Sequence, residues 1–327
     1  MRNPLIQTAL QIVLAGSAAS TALAQETGTY PDRPLRLIVP FPPGGGNDIL
    51  GRAVGQRLSQ VLGQQIVVDN RGGAGGALGA TIAANATPDG YNLFLGSLGN
   101  LVLNPVLKKE LSYNPIRDFA PISLLATSPF ILAVNPAVRA KSVRELIALA
   151  KENPGKLNFA SAGTGSSLHL VGEIFKHATG TDIVHVPYKG TGPALTDVIA
   201  GRVQLIFSTI APALPHIRAG RLRALGVTTA KRAAVAPEVP TIAESGVKGF
   251  SVSNWQGILA PIKIPRAIVR KLNHDVLATL KLPGMSEVLN AEGLESAGGT
   301  SAQFSALIKA ETEKYSQVVE RAGIHVE

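Results

Sequence analysis

The chain has 327 residues, of which 45% are hydrophobic and only 16% charged. These values exclude a disordered chain and allow a large core in about two domains. The formal net charge of +9 raises nucleic acid as a partner, but aromatics are only 5% and Lys and Arg are scattered along the sequence. With no RNA-binding or zinc-finger spacing either, the basic balance reads as a preference for small anions rather than nucleic acid. The absence of cysteine excludes disulfides, thiolate metal sites and thiol catalysis.

The N-terminus reads as a signal peptide. Arg2 precedes an apolar stretch around Ala9 to Leu14, and Ala22-Leu23-Ala24 matches the small-x-small pattern of a cleavage site before Gln25. The expected mature chain starts at Gln25, is periplasmic and carries about +8 (9 − 1). No later segment is long and apolar enough to span a bilayer.

Alternation follows. Residues 35–41 read as a buried strand and 48–62 as an amphipathic helix, with Leu50, Val54, Leu58 and Leu62 on one face. Strands at 65–69 and 91–96 flank an alanine-rich helix at 76–86. A second series runs from a strand at 130–134 through a helix opened by the capping box Ser142-x-x-Glu145. It continues with strands at 157–160, 182–187, 203–207 and 222–227, separated by helices at 166–178, 193–200 and 211–219. A strand at 257–261 looks like a return of the chain to the first series. Helices at 265–280, 284–291 and 301–321 close the sequence, the last behind a capping box of Thr300 and Gln303. Short apolar strands between helices predict an α/β fold with a mainly parallel sheet. The helical tail has no sheet of its own, which predicts a discontinuous first lobe, residues 25–127 with 250–327, and a second lobe, 128–249. Two chain crossings would then join lobes that close on a ligand in the cleft between them.

Three strand ends run into a glycine, hydroxyl or amide cluster and then a helix: Phe41-Pro-Pro-Gly-Gly-Gly-Asn-Asp48, Ala160 to His169, and Tyr188-Lys-Gly-Thr-Gly-Pro193. Ligands of open α/β sheets bind beyond the carboxyl ends of strands, and helix N-termini favour anions. Any one cluster could equally be a tight turn; three facing one cleft would be a backbone-built anion clamp. Rival chemistries fit less well. Gly73-Ala-Gly75 and Gly163-Thr-Gly165 lack the third glycine of a dinucleotide fingerprint, and no phosphate loop exists. Ser166, His169 and Asp182 or Asp197 supply the residue types of a hydrolase triad, but no G-x-S-x-G elbow occurs, and a Ser at a helix start is ordinarily a cap. The six histidines show no metal-binding spacing, and no cofactor is implied. Trp255 is expected to pack between domains.

The runs YPDRPLRLIVPFPPGGGNDILGR, VVDNRGGAGGALGA, TPDGYNLFLGS, LNFASAGTGSSLHL, VPYKGTGPALTDVIAGRVQLIF, VPTIAESG and WQGILAP, in this order, resemble the Bug-type periplasmic solute-binding proteins of tripartite tricarboxylate transporters across the mature chain. The resemblance implies a two-lobed, type II periplasmic-binding-protein fold without enzymatic activity. It implies a small organic anion as ligand (a di- or tricarboxylate or an aromatic carboxylate), a membrane permease as partner, and a monomer. It also implies the ligand-binding residues: Phe41, Pro42, Gly44, Gly45, Gly46, Asn47 and Asp48 after the first strand; Ser97; Gly163, Thr164, Gly165, Ser166 and His169; Tyr188, Gly190 and Thr191; and Ser208. Asp48 is expected to order its loop, since like charges repel. The glycines at 44–46 are expected to let a carboxylate approach main-chain N–H groups. Many relatives carry an acid where this chain has Ser208, which implies a ligand without an ammonium group. A periplasmic sensor subunit would use the same cleft, and a secreted serine hydrolase would need Ser166.

Overall fold

The computed structural model describes residues 30–322, apart from 109 and 292; the signal peptide expected at residues 1–24 lies outside the described residues. From Arg33 onward the chain forms one compact unit. It starts as the sequence reads: β1 (Leu35–Val39), α1 (Gly46–Leu62) and β2 (Ile66–Asn70), then a 3-10 turn (Ala74–Gly76) into α2 (Ala77–Ala84) and β3 (Asn92–Ser97). Val39, Leu50, Val54 and Leu58 are fully buried, so α1 lays its apolar stripe on the sheet. Its end is set by Gly63 in the left-handed conformation (φ +66°).

A π turn at Gly99–Leu103 and two short helices, α3 (Asn104–Leu107) and α4 (Pro115–Asp118), lead into β4 (Phe119–Val134). Only the end of this 16-residue strand, residues 130–134, is predicted. Pro121 and Pro129 argue against a strand by sequence. The chain accommodates the first half with register shifts between Pro121 and Ser123 and between Leu124 and Ala126.

The second series is α5 (Val143–Glu152), β5 (Leu157–Ser161), α6 (Ser167–Thr179), β6 (Ile183–Pro187), α7 (Thr191–Ile199), β7 (Leu205–Thr209), α8 (Ile210–Arg218) and β8 (Arg223–Val227). Ser142 Oγ caps α5 by accepting from Glu145 N–H (3.2 Å); the Glu145 carboxylate reaches back to Lys141 N–H (2.8 Å), one residue beyond the expected partner. β9 (Ser253–Pro261), α9 (Arg266–Leu280), α10 (Met285–Ala291), β10 (Glu295–Ser296) and α11 (Ser301–Ala322) complete the chain. The second capping box forms as read, with Thr300 and Gln303 exchanging bonds of 2.8 and 3.2 Å.

The sheet runs β2-β1-β3-β9-β4-β7-β5-β6, with β8 and β10 added on β4. It is mixed rather than mainly parallel. β1, β2 and β3 pair in parallel, as do β5, β6 and β7. Between these groups, β9 and β4 run antiparallel to their neighbours. β4 is shared: residues 119–129 pair with β9, and 130–134 pair with β7 on one edge and β8 on the other. Trp255 on β9 meets Phe304 of α11 edge to face, with ring centroids 5.7 Å apart, so it packs into the core against the closing helix. Among the described residues no helix is long and apolar enough to cross a membrane.

Candidate functional site

A small cavity opens where the ends of β1, β3, β5 and β7 meet four helix starts. Its lining comes from Phe41, Gly45, Gly46 and Asn47 before and within α1, Ser97 at the end of β3, and Ala162, Ser166, Ser167 and Leu168 around the start of α6. Thr191 at the start of α7, Thr209 before α8 and Asn254 of β9 close it. No charged side chain is among them. The donors are helix-start N–H groups, which have no intrahelical partner, and hydroxyls. α1, α7 and α8 have no side-chain cap, leaving those N–H groups to whatever fills the cavity. Four helix starts aimed at one space favour negative charge there.

Several side chains are held so that a polar group stays free. Ser97 Oγ accepts from Asn100 Nδ2 (3.0 Å) and Ser166 Oγ from His169 N–H (3.3 Å), so both hydroxyl protons remain available. Thr209 Oγ1 and Asn254 Oδ1 are buried without a partner, an arrangement that costs stability unless a ligand or water completes it. Asn47 is fixed by Gln256 Nε2, which donates to its Oδ1 (3.3 Å).

Of the other residues implied as ligand-binding, most support the lining rather than form it. Asp48 Oδ2 accepts from Gly44 N–H (2.9 Å), while Oδ1 accepts from Arg52 (2.9 Å) and Asn70 (3.0 Å). Burial opposes its charge, but these three donors outweigh burial and hold the carboxyl below its usual range. The Asp48 carboxylate is thus spent on ordering the loop after β1. Pro42 packs against Gly190, and Tyr188 donates its hydroxyl to Asp197 (2.7 Å). Ser208 is fully buried and donates to the Thr209 carbonyl (2.8 Å), outside the lining. Gly163, Thr164 and Gly165 form the loop ahead of α6, which rests on the opposite segment: a Cβ at Gly75 would lie 2.4 Å from the Thr164 carbonyl oxygen.

His169 sits behind this loop, its Nδ1 accepting from Gly165 N–H (3.2 Å). It stacks on His185 with centroids 3.8 Å apart. No triad forms: Ser166 caps α6, and the Asp197 carboxylate is taken by Tyr188 and Arg202. Among the described residues no cluster of three or more His, Asp or Glu could hold a metal ion.

Gly44 adopts φ +84°, which a side chain would strain. A Cβ on Gly46 would lie 2.6 Å from Thr209 Oγ1, so the close neighbour that Gly46 admits is protein. Ala162, Ser167 and Leu168 of the Ala160–His169 junction also line the cavity, as do Thr209 and Asn254, which were not singled out as ligand-binding in the sequence. The available signal was polar Asn254 and Gln256 alternating with Trp255 and Gly257 in a strand, which places both amides on one buried face.

Residues 50–324 match the tripartite tricarboxylate transporter family receptor. BugT of Bordetella pertussis is 36% identical over 313 residues, covering 95% of each chain. The structure of R. palustris Rpa4515 with adipate aligns with a TM-score of 0.88 at 37% identity, over 90% of this chain and 99% of that one. MatC (Rpa3494) from Rhodopseudomonas palustris, with bound malate, aligns with a TM-score of 0.84 at 33% identity, over 89% and 100%. The chain belongs to the Bug-type family of tripartite tricarboxylate transporter receptors, which are solute-binding proteins and not enzymes.

Replacing Asp48 with alanine leaves the Gly44 N–H, Asn70 and Arg52 without their acceptor. Expected is a loss of about 2 kcal/mol, a midpoint about 3 °C lower for a chain of this length, measured by thermal unfolding.

Proposed function

We propose that this chain is an exported periplasmic receptor that captures a small organic carboxylate in the cavity and hands it to a permease of the tripartite tricarboxylate type. The observation that carries the reading is a cavity walled by four helix starts and free hydroxyls, with no charged side chain in its lining. Neutral donors aimed by rigid elements hold a carboxylate without burying a second charge beside it. The adipate and malate bound by the two similar structures support an aliphatic di-acid as the ligand class.

The ligand-binding set is then Phe41, Gly45, Gly46, Asn47, Ser97, Ser166 and Thr191, together with Ser167, Thr209 and Asn254. Asp48, His169, Tyr188 and Ser208 position the loops. The working unit is a monomer in two lobes, 25–127 with 250–327 and 128–249, which separate to admit ligand and close over it. The sharing of β4 and the apposition of Gly46 on Thr209 support that division.

The test is thermal unfolding of the mature chain, unfolded and refolded to strip bound ligand, against mono-, di- and tricarboxylates, acidic amino acids and aromatic acids. A ligand at 100 times its dissociation constant stabilises by about 2.7 kcal/mol, or about 4 °C here. A selective shift with aliphatic di-acids is expected. A shift with aspartate or glutamate exceeding that of the plain di-acids would overturn the class, and a flat panel would overturn the carboxylate reading.

A further inference from the structure

The sequence scatters its basic residues, but the fold gathers six of them around one groove. This groove, of about 1020 Å³, lies beside β8 and shares no lining residue with the cavity described above. Lys141 and Arg223 line it. Arg139, Arg144, Arg218 and Arg221 stand within two positions of its lining residues and are exposed. None of the six forms an ion pair among the described residues, although twelve such pairs occur elsewhere. The only acid in the lining is Glu238, and Glu145 is occupied with Lys141 N–H. Six cations against these two acids leave a surplus of four positive charges.

The shape of the groove restricts what the charge can receive. β8 hydrogen-bonds to β4 along one edge. Among the described residues its other edge is bonded at its last residue, where Val227 N–H donates to the Pro240 carbonyl and the Val227 carbonyl accepts from Ile242 N–H. Leu222, Ala224 and Leu225, further back, line the groove; Ala224 pairs with Ala133 of β4, and among the described residues no second strand is paired along the other side of β8. A sheet edge along which no second strand is paired is a template for an added strand, and natural proteins ordinarily blunt such edges. Here the edge is flanked by cations, which repel a second copy of this chain presenting the same face.

We propose that this groove docks an extended acidic segment of a partner protein, which adds as a strand on β8 with its carboxylates between Lys141, Arg221 and Arg223. The concave form and the strand edge favour a polypeptide over a flat anionic surface. The six cations supply attraction and on-rate, and the edge supplies register.

The probe is the end-capped peptide (Val-Glu)5, titrated by isothermal calorimetry into the mature chain at low salt, with (Val-Lys)5 and vesicles containing phosphatidylglycerol as the other arms. Expected is binding of (Val-Glu)5 that weakens at least tenfold in the surface variant K141E/R221E and at least fivefold when salt is raised to 0.3 M. Ala224→Pro, which alters the edge itself, is expected to abolish it. If that variant does not fold, K141E/R221E alone carries the test. Gly46→Ala is expected to retain peptide binding, which separates the groove from the cavity. Equal binding of (Val-Lys)5, binding of (Val-Glu)5 unchanged in K141E/R221E, or binding to vesicles alone would overturn the proposal.

Discussion

Replacing Gly46 with alanine weakens carboxylate binding by about 100-fold while leaving the midpoint of the ligand-free protein within about 2 °C. The added Cβ meets Thr209 Oγ1 at 2.6 Å and Thr209 Cβ at 3.1 Å. Contacts that short force α1 and α8 apart at the point where both present N–H groups to the cavity. In the separated form the methyl group points into open space and is harmless, since alanine is a better helix former than glycine. The penalty therefore falls on the closed, ligand-holding form, and 100-fold corresponds to about 2.7 kcal/mol. Calorimetric titration with the acid that gives the largest thermal shift measures it. Removing Oγ1 and Cγ2 by Thr209→Ala in the same chain relieves the shortest contact, so the double variant is expected to bind better than the sum of the single losses. A fall of more than 5 °C in the ligand-free midpoint of Gly46→Ala would mean that the two segments do not separate, and the closure reading would fail.

Acidification from pH 6.5 to pH 5 is expected to destabilise the protein by about 3 kcal/mol through two histidines. His169 and His185 stack beneath the loop ahead of α6, with Phe159 against both rings. Burial and the neighbouring His185, Lys176 and Lys108 push His169 down to about 3. Burial and Lys176 push His185 down to about 4. Among the described residues Glu173, 3.7 Å from His169 Nε2, is the one carboxylate paired with it, and Lys176 already binds Glu173 at 2.9 Å. A folded-state value below the unfolded one means that the unfolded chain takes up the proton first. The stabilisation is then complete above pH 6.5 and is lost as pH falls toward the folded values. In the window from 6.5 to 5 the paired carboxylates of Asp48, Asp69, Asp118 and Asp197 are held below their usual range and stay ionised; burial and Arg221 also push His216 down, but it contributes equally to the natural chain and to a variant lacking only the pair. Thermal midpoints over this window should drop by about 5 °C in the natural chain and much less in His169→Gln/His185→Gln. Parallel profiles would show that the pair is already solvated.

The loop shares this sensitivity. His185 Nε2 lies 2.6 Å from Ser161 Oγ, which also accepts from Gly163 N–H (3.1 Å). A charged His185 can only donate to Ser161, and that removes one of the two arrangements holding the loop.

Elements with strong periodicity and chemical punctuation were readable from the chain alone. α1, α5, α6 and α11 fall within two residues of their expected bounds, because glycine caps and capping boxes act locally. The first half of β4 was not readable, since two prolines contradict a strand and only the bulged pairing with β9 accommodates them. The strand–glycine–helix junctions drew attention to 41–48, 160–169 and 188–193, and the cavity borders all three. Thr209 escaped notice because nothing in its neighbourhood is chemically unusual, and Asn254 because the stretch around Trp255 reads as packing. They matter only through positions that β7 and β9 take beside segments more than a hundred residues away. The triplet at 44–46 shows the same limit: a glycine announces that something comes close, and only the fold reveals that at Gly46 the neighbour is Thr209.

A cavity that receives negative charge while contributing no ionised side chain has a consequence for how such a receptor diversifies. Exchanging one lining hydroxyl or amide for another reshapes the space without stranding a buried counter-charge, so each step stays within the stability margin of the fold. Selectivity can then drift among acids of different length and substitution by single replacements at positions such as Ser97, Thr191, Thr209 and Asn254, while the backbone donors that define the class remain fixed.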